Sequence, residues 1–110
     1  MKKIVAYKHY FADFIATLSK AEADKIRYVL DLLKLEYRVP RHYIKFIRDG
    51  VYELRVSHKN NEFRIFFIYD GETIVVLFNA FRKKTQKTPD NEIRKAIRLK
   101  REYYEAKGSQ

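Results

Sequence analysis

The stretch Gly50-Val51-Tyr52-Glu53-Leu54-Arg55-Val56-Ser57-His58-Lys59-Asn60-Asn61-Glu62-Phe63-Arg64-Ile65-Phe66-Phe67-Ile68-Tyr69-Asp70-Gly71 decides the fold. Tyr52, Leu54 and Val56 alternate with Glu53, Arg55 and Ser57, the period of two that a half-buried strand requires. Asn60 and Asn61 suit a turn, after which Phe63, Ile65, Phe67 and Tyr69 alternate with Arg64, Phe66 and Ile68. Asp70-Gly71 is a hairpin signal leading into Ile74 to Phe78. That last run is apolar on both faces, which predicts a place in the middle of the sheet. The stretch therefore predicts a three-stranded antiparallel meander.

Upstream, Lys3 to Tyr7 reads as an opening strand, and Phe11, Phe14, Ile15 and Leu18 recur at the three- and four-residue steps of a short amphipathic helix. Ser19 followed by Glu22 is a capping-box pattern, and Ile26, Val29, Leu30, Leu33 and Tyr37 then form an apolar stripe reaching toward Pro40. Together these predict a helical hairpin. Downstream, Thr88 as N-cap and Pro89 at the first helical position open a final helix, with Ile93, Ala96, Ile97 and Tyr104 toward the sheet. Residues after Glu105 read as a frayed tail. The expectation is a single α+β domain over residues 1–110, without internal repeat, linker or low-complexity segment.

Composition bounds the function. Hydrophobic residues make up 46% and aromatics 15%, which argues for an ordered globule. Twenty-four Lys and Arg against fourteen Asp and Glu leave a formal net charge of +10, a field that attracts polyanions, nucleic acid first and an acidic protein second. The absence of cysteine excludes disulfides, thiolate-bound zinc and thiol catalysis, and His9, His42 and His58 lack metal-ligand spacing. The opening Met-Lys-Lys-Ile-Val-Ala-Tyr begins like a signal peptide, but Lys8, His9 and Asp13 break its apolar run. No stretch approaches the roughly 20 apolar residues of a membrane span. A cytoplasmic protein with no membrane partner is expected.

The densest basic cluster, Arg82-Lys83-Lys84-Thr85-Gln86-Lys87-Thr88-Pro89, falls where a strand ends and a helix begins. Backbone N–H groups at a helix start favour anions, so the cluster reads either as a phosphate-binding corner or as a solvated loop. Arg55 and Arg64 interrupt otherwise apolar strands. A partly buried guanidinium needs an anion, and here that is either a bound phosphate or, for Arg64, Glu53 or Glu62. RNA cleavage by internal attack requires a base for the 2'-hydroxyl, charge on the phosphorane stabilised, and an acid for the 5'-oxygen. His58, beside Lys59 in the turn after Arg55, is one candidate; Lys83 or Lys84, with a pKa pushed down by neighbouring cations, is another. Phe81, Tyr103 and Tyr104 are candidates for stacking on unpaired bases, although most of the aromatics must be core.

Val51-Tyr52-Glu53-Leu54-Arg55-Val56, Phe63-Arg64-Ile65-Phe66-Phe67 and Val75-Val76-Leu77-Phe78-Asn79-Ala80-Phe81-Arg82-Lys83-Lys84-Thr85-Gln86-Lys87-Thr88-Pro89, continued by Glu92, Ile93 and Ala96, resemble the HigB-like branch of the RelE/ParE toxins. The resemblance covers roughly residues 10 to 105. It implies a RelE-like fold, a small antiparallel-dominated sheet packed by an N-terminal helical hairpin and a C-terminal helix. It also implies an endoribonuclease cutting messenger RNA, usually on the ribosome, and an antitoxin partner with a helix-turn-helix domain. No metal or organic cofactor is implied. Carried onto this chain, the active-site positions are Arg55, Arg64, Lys83 and Lys84, with His58, Lys59, Asn79, Phe81, Arg82 and Lys87 around the substrate. One departure stands out: the branch commonly has His-Gly where this chain has Asn79-Ala80, and Asn79 cannot serve as acid or base. Competing readings are a ParE-like gyrase poison, a non-catalytic basic nucleic-acid-binding module, and a phage-derived remnant that binds antitoxin alone.

Overall fold

The computed structural model describes residues 1–35 and 39–108; the Tyr37 end of the predicted helical stripe lies outside them. The elements run β1 (Lys3–Ala6), α1 (Tyr10–Ile15), α2 (Lys20–Leu35), a 3-10 turn (Arg41–Tyr43), β2 (Ile44–Arg48), β3 (Val51–His58), β4 (Asn61–Asp70), β5 (Ile74–Lys83) and α3 (Asp90–Gly108). The sheet order is β1-β5-β4-β3-β2, with β1 parallel to β5 and every other pairing antiparallel. The α+β expectation holds, with a fifth strand added. β2 went unpredicted because it is a five-residue edge strand carrying Lys45 and Arg48, charges that discourage further strand pairing but also mask a strand's apolar signature.

Two cores lie on opposite faces of the sheet. Leu54, Val56, Phe63, Ile65, Phe67, Val75 and Leu77 pack against Phe14 of α1 and Ile26, Val29 and Leu33 of α2. Val51, Phe66, Ile68, Val76 and Phe78 pack against Ala96 and Leu99 of α3. The period of two in β3 and β4 therefore feeds both cores: even positions of β3 and odd positions of β4 face α1 and α2, and Val51 of β3 with the even positions of β4 faces α3. β5 is buried on both faces as expected, but β4 is the middle strand, because β1 returns to cover the outer edge of β5.

The capping box forms as read: Ser19 N–H donates to Glu22 Oε1 at 2.9 Å and Glu22 N–H donates to Ser19 Oγ at 3.2 Å. At the other end three expectations shift. The last helix starts at Asp90, with the Pro89 carbonyl accepting the N–H groups of Glu92 and Ile93, while the Thr88 hydroxyl donates to Glu53 Oε2 at 2.9 Å instead of capping. Tyr103, rather than Tyr104, packs against the sheet, edge-on to Phe78 and Tyr7. The helix also continues through Gly108, past the point where fraying was expected, because the Tyr103 hydroxyl and Lys107 Nζ both donate to Asp70 at the β4–β5 turn.

The turns use the left-handed backbone where the sequence permits it. Asp49 and Gly50 both have positive φ between β2 and β3; a Cβ on Gly50 would need only the flexible Lys100 ammonium, 2.9 Å away, to move, so it is the φ of +77° that favours glycine there. A register shift between Ile65↔Ala80 and Phe67↔Leu77 inserts one extra residue into β5 opposite Phe66, a bulge that resets the alternation of that strand at Phe78 and Asn79.

Candidate functional site

Strand register lays out the site. Three cross-strand rungs of one face, reading from β3, are Glu53 between Lys45 of β2 and Phe66 of β4, Arg55 opposite Arg64 with Phe81 beyond, and Ser57 opposite Glu62 with Lys83 beyond. Phe66 and Phe81 stack with ring centroids 5.9 Å apart and join the core beneath α3. The charged rungs extend past that apolar floor. Three adjoining hollows of about 310, 440 and 610 Å³ open over them, and Arg55 lines all three.

Arg64 is almost wholly buried, with its side chain 4% exposed, and Glu53 beside it is 2% exposed. Arg64 Nη1 donates to the Phe63 carbonyl at 2.9 Å and to Glu62 Oε1 at 3.2 Å. Its Nε lies 3.6 Å from Glu53 Oε1 and lacks a hydrogen-bond partner. Arg55, at 39% exposure, places Nε 3.8 Å from the same Glu53 oxygen. One buried carboxylate thus serves two guanidinium groups, and the Thr88 hydroxyl on its other oxygen ties it to the start of α3. The Ser57 hydroxyl and Arg64 both donate to Glu62. Ser57 most of all, then Arg64 and Lys83, hold that carboxyl below its ordinary value against the opposing effect of burial.

Lys83 sits at the end of β5 on the same face. Burial first, then the positive charges of Arg64, Arg55 and Lys45, push its ammonium below the ordinary lysine value, with Glu53 acting in the opposite sense. Lys84 lines the widest hollow with Lys83, Arg55 and Arg64, while Lys45, Phe46 and Lys87 line the one nearer α3. The arrangement offers cations from four strands and the following loop to one anionic group, with a lysine whose proton is loosened. That is chemistry suited to holding a phosphodiester and moving a proton near it.

The other sequence candidates disperse. Arg82 neighbours Lys83 in sequence but, by strand alternation, reaches the opposite face, where it lies over the Phe63 ring and 3.5 Å from Glu22 Oε2. Asn79 sits at the bulge under α3, its Nδ2 donating to the carbonyl and the carboxylate of Glu92 at 3.1 and 3.0 Å. Phe81 serves the α3 core. His58 pairs with Asn61 at the end of the hairpin, and Lys59 occupies the turn with φ +56°. Arg55, Arg64, Lys83, Lys84 and Lys87 come together at the cleft; Asn79, Arg82, His58 and Lys59 do not join them there.

The cleft also gathers residues the sequence reading passed over: Lys25 of α2, His42 of the 3-10 turn, and Lys45 and Phe46 of β2. Lys45 was legible in principle, since Ile44-Lys45-Phe46 already alternates, but no signal tied that segment to β3. Among the described residues no group of three or more His, Cys, Asp or Glu side chains is placed to hold a metal ion. Among the same residues, no helix is long and apolar enough to cross a membrane.

No curated protein matches the chain in sequence. Among solved structures it is similar to a chain of the archaeal RelE–RelB complex from Pyrococcus horikoshii OT3, at 10% identity and a TM-score of 0.48, covering 72% of this chain and 91% of that one. The family described as phage-derived protein Gp49-like (DUF891) matches residues 13–101, which include all five strands but β1 and most of α3. With that much of the chain accounted for, this protein belongs to the phage-derived Gp49-like family.

Proposed function

We propose that this chain is the toxin of a type II toxin–antitoxin system, in the RelE/ParE superfamily and its HigB-like branch, and that it is a metal-independent endoribonuclease. It cuts messenger RNA on the ribosome, in the cytoplasm, and is silenced by a cognate helix-turn-helix antitoxin. Membership of the Gp49-like family and the resemblance of the strand and loop segments support the toxin assignment. The observation that carries the nuclease reading is the meeting of Arg55, Arg64 and Lys83 on one open face, with Arg55 and Arg64 directly cross-strand.

In this reading the phosphodiester lies over Arg55 and Arg64, whose fixed charge stabilises the extra negative charge of the phosphorane. The 2'-oxygen attacks phosphorus, the bond to the 5'-oxygen breaks, and Lys83 supplies a proton to that leaving oxygen. Lys84 and Lys87 contact flanking phosphates, and the net charge of +10 draws RNA and an acidic antitoxin surface to this face.

The test is brief induction in bacteria of the chain beside Arg55→Ala and Lys83→Ala versions at equal expression, with growth and messenger-RNA integrity followed together. Growth arrest with RNA cuts that disappear in both variants is expected. Arrest with intact RNA would move the assignment to a gyrase poison, and no arrest to a binding-only protein.

A further inference from the structure

We propose that His42 is the proton acceptor of the cleft, taking the 2'-hydroxyl proton as that oxygen attacks the phosphorus held at Arg55, over the buried charge of Arg64. The inference rests on the ribonuclease reading of the same cleft and supplies the base that reading lacks.

The geometry begins with the length of β2. Its pairing with β3 starts at Ile44↔Leu54, so Arg55 to His58 have no β2 residue opposite them. The chain enters that uncovered edge through the 3-10 turn Arg41–Tyr43, closed by Tyr43 N–H donating to the Pro40 carbonyl at 3.0 Å. His42 stands on this turn with its ring 4.1 Å from the Tyr43 ring, centroid to centroid, and lines the hollow of about 310 Å³ together with Arg55, Ser57 and Arg64. The charged groups facing that hollow with it are Lys25 of α2, Arg55 of β3, and Glu62 and Arg64 of β4. Cations outnumber the carboxylate there, which suits a phosphodiester.

Elimination points the same way. The arginines stay protonated and have no acceptor. Glu53 is occupied by two guanidinium groups and Thr88, and Glu62 by Ser57 and Arg64, with its carboxyl held low and so a weak base. Lys83 enters as the ammonium and acts as the acid. Imidazole is the side-chain type whose neutral form can take a proton near neutral pH. The proton count closes: one proton passes from O2' to His42, the O2'–P bond forms, the P–O5' bond breaks, and one proton passes from Lys83 to O5'. The products are a 2',3'-cyclic phosphate and a 5'-hydroxyl, and exchange with water resets both side chains.

The experiment uses the full-length protein, His42→Gln, His42→Ala and a His9→Gln control, whose substituted residue pairs with Asp13 on α1. Single-turnover cleavage of a labelled RNA, free and on translating ribosomes, is followed from about pH 5 to about pH 9 with RNA affinity measured in parallel. The expected result is a fall on the order of 10²-fold or more for both His42 variants. RNA affinity should hold, the acid-side limb of the pH profile should disappear, and added imidazole should restore cleavage by His42→Ala. An unchanged rate and profile in His42→Gln overturns the assignment. So does a uniform loss at every pH without imidazole rescue, which would make His42 a positioning residue. If the wild-type protein leaves RNA intact while still binding it, the ribonuclease reading itself fails, and the His42 assignment falls with it.

Discussion

Arg55 and Arg64 face each other directly across β3 and β4, and both reach toward the same oxygen of the buried Glu53, at 3.8 and 3.6 Å. Like charges directly opposite on a sheet oppose pairing. Here a third residue, two positions along β3, offsets the repulsion from inside the sheet. Glu53 and Glu62 stand against Arg55, Arg64, Lys83 and Lys84, which leaves the face positive, so it can also accept an external anion.

Removing that carboxylate's charge leaves Arg64 buried without a full counter-charge. Glu53→Gln is expected to lower unfolding free energy by about 3 kcal/mol. Urea denaturation with a tyrosine fluorescence readout checks this, and a midpoint within error of wild type would mean that Glu62 and the Phe63 carbonyl satisfy Arg64 alone.

Lys83 binds its proton less tightly in the folded chain than in the unfolded one, chiefly through burial and then through Arg64. Between the two values the unfolded state carries more protons, so this group contributes stability that grows as pH rises through the folded value. Nitrogen-detected NMR titration should place Lys83 below an ordinary lysine. In Arg55→Ala, which removes one of the opposing charges, it should move upward.

Single-stranded RNA binding should be strongly salt-dependent, because Lys45, Arg55, Lys83, Lys84 and Lys87 all line the cleft. Removing one cation that neutralises a phosphate reduces the slope of log affinity against log salt by about 0.7. Lys87→Ala is expected to show that change with its high-salt affinity little altered, as fluorescence anisotropy across a salt series can measure.

The end of α3 has its own pH dependence. Tyr103 is pushed up to about 12, by burial first and by its hydrogen bond to Asp70 second, and Asp70 is pushed down, by Lys107 first and Tyr103 second. A raised tyrosine holds its proton longer when folded, so its contribution is present below pH 10 and is lost toward pH 12. Asp70 contributes above its unfolded value and loses that contribution in acid. Thermal melts should therefore show a fall above about pH 10 that is shallower in Tyr103→Phe, with equal slopes disproving the assignment.

Much of this protein was determined by local sequence. Alternation in Tyr52–Val56 and Phe63–Tyr69, the Asp70-Gly71 turn, and the Ser19–Glu22 box each depend on residues a few positions apart, and each forms. β3 is nevertheless not the half-buried strand its alternation predicts, because α3 covers the second face and buries Val51 and Glu53 as well. The set of cations was likewise plain from Arg55, Arg64 and the Lys83-Lys84 pair. What tertiary structure alone decided was which of them share a face. Lys83 and Arg82 are neighbours in sequence and part to opposite sides of the sheet, and the bulge opposite Phe66 turns Asn79 toward Glu92 under α3. His42 and Lys45 join the cleft because β2 pairs with β3 in a register that leaves Arg55 to His58 open. Register is set by hydrogen bonds between strands and by burial on both faces. With a side-chain period of two, a slip of one residue would send every one of these groups to the other side.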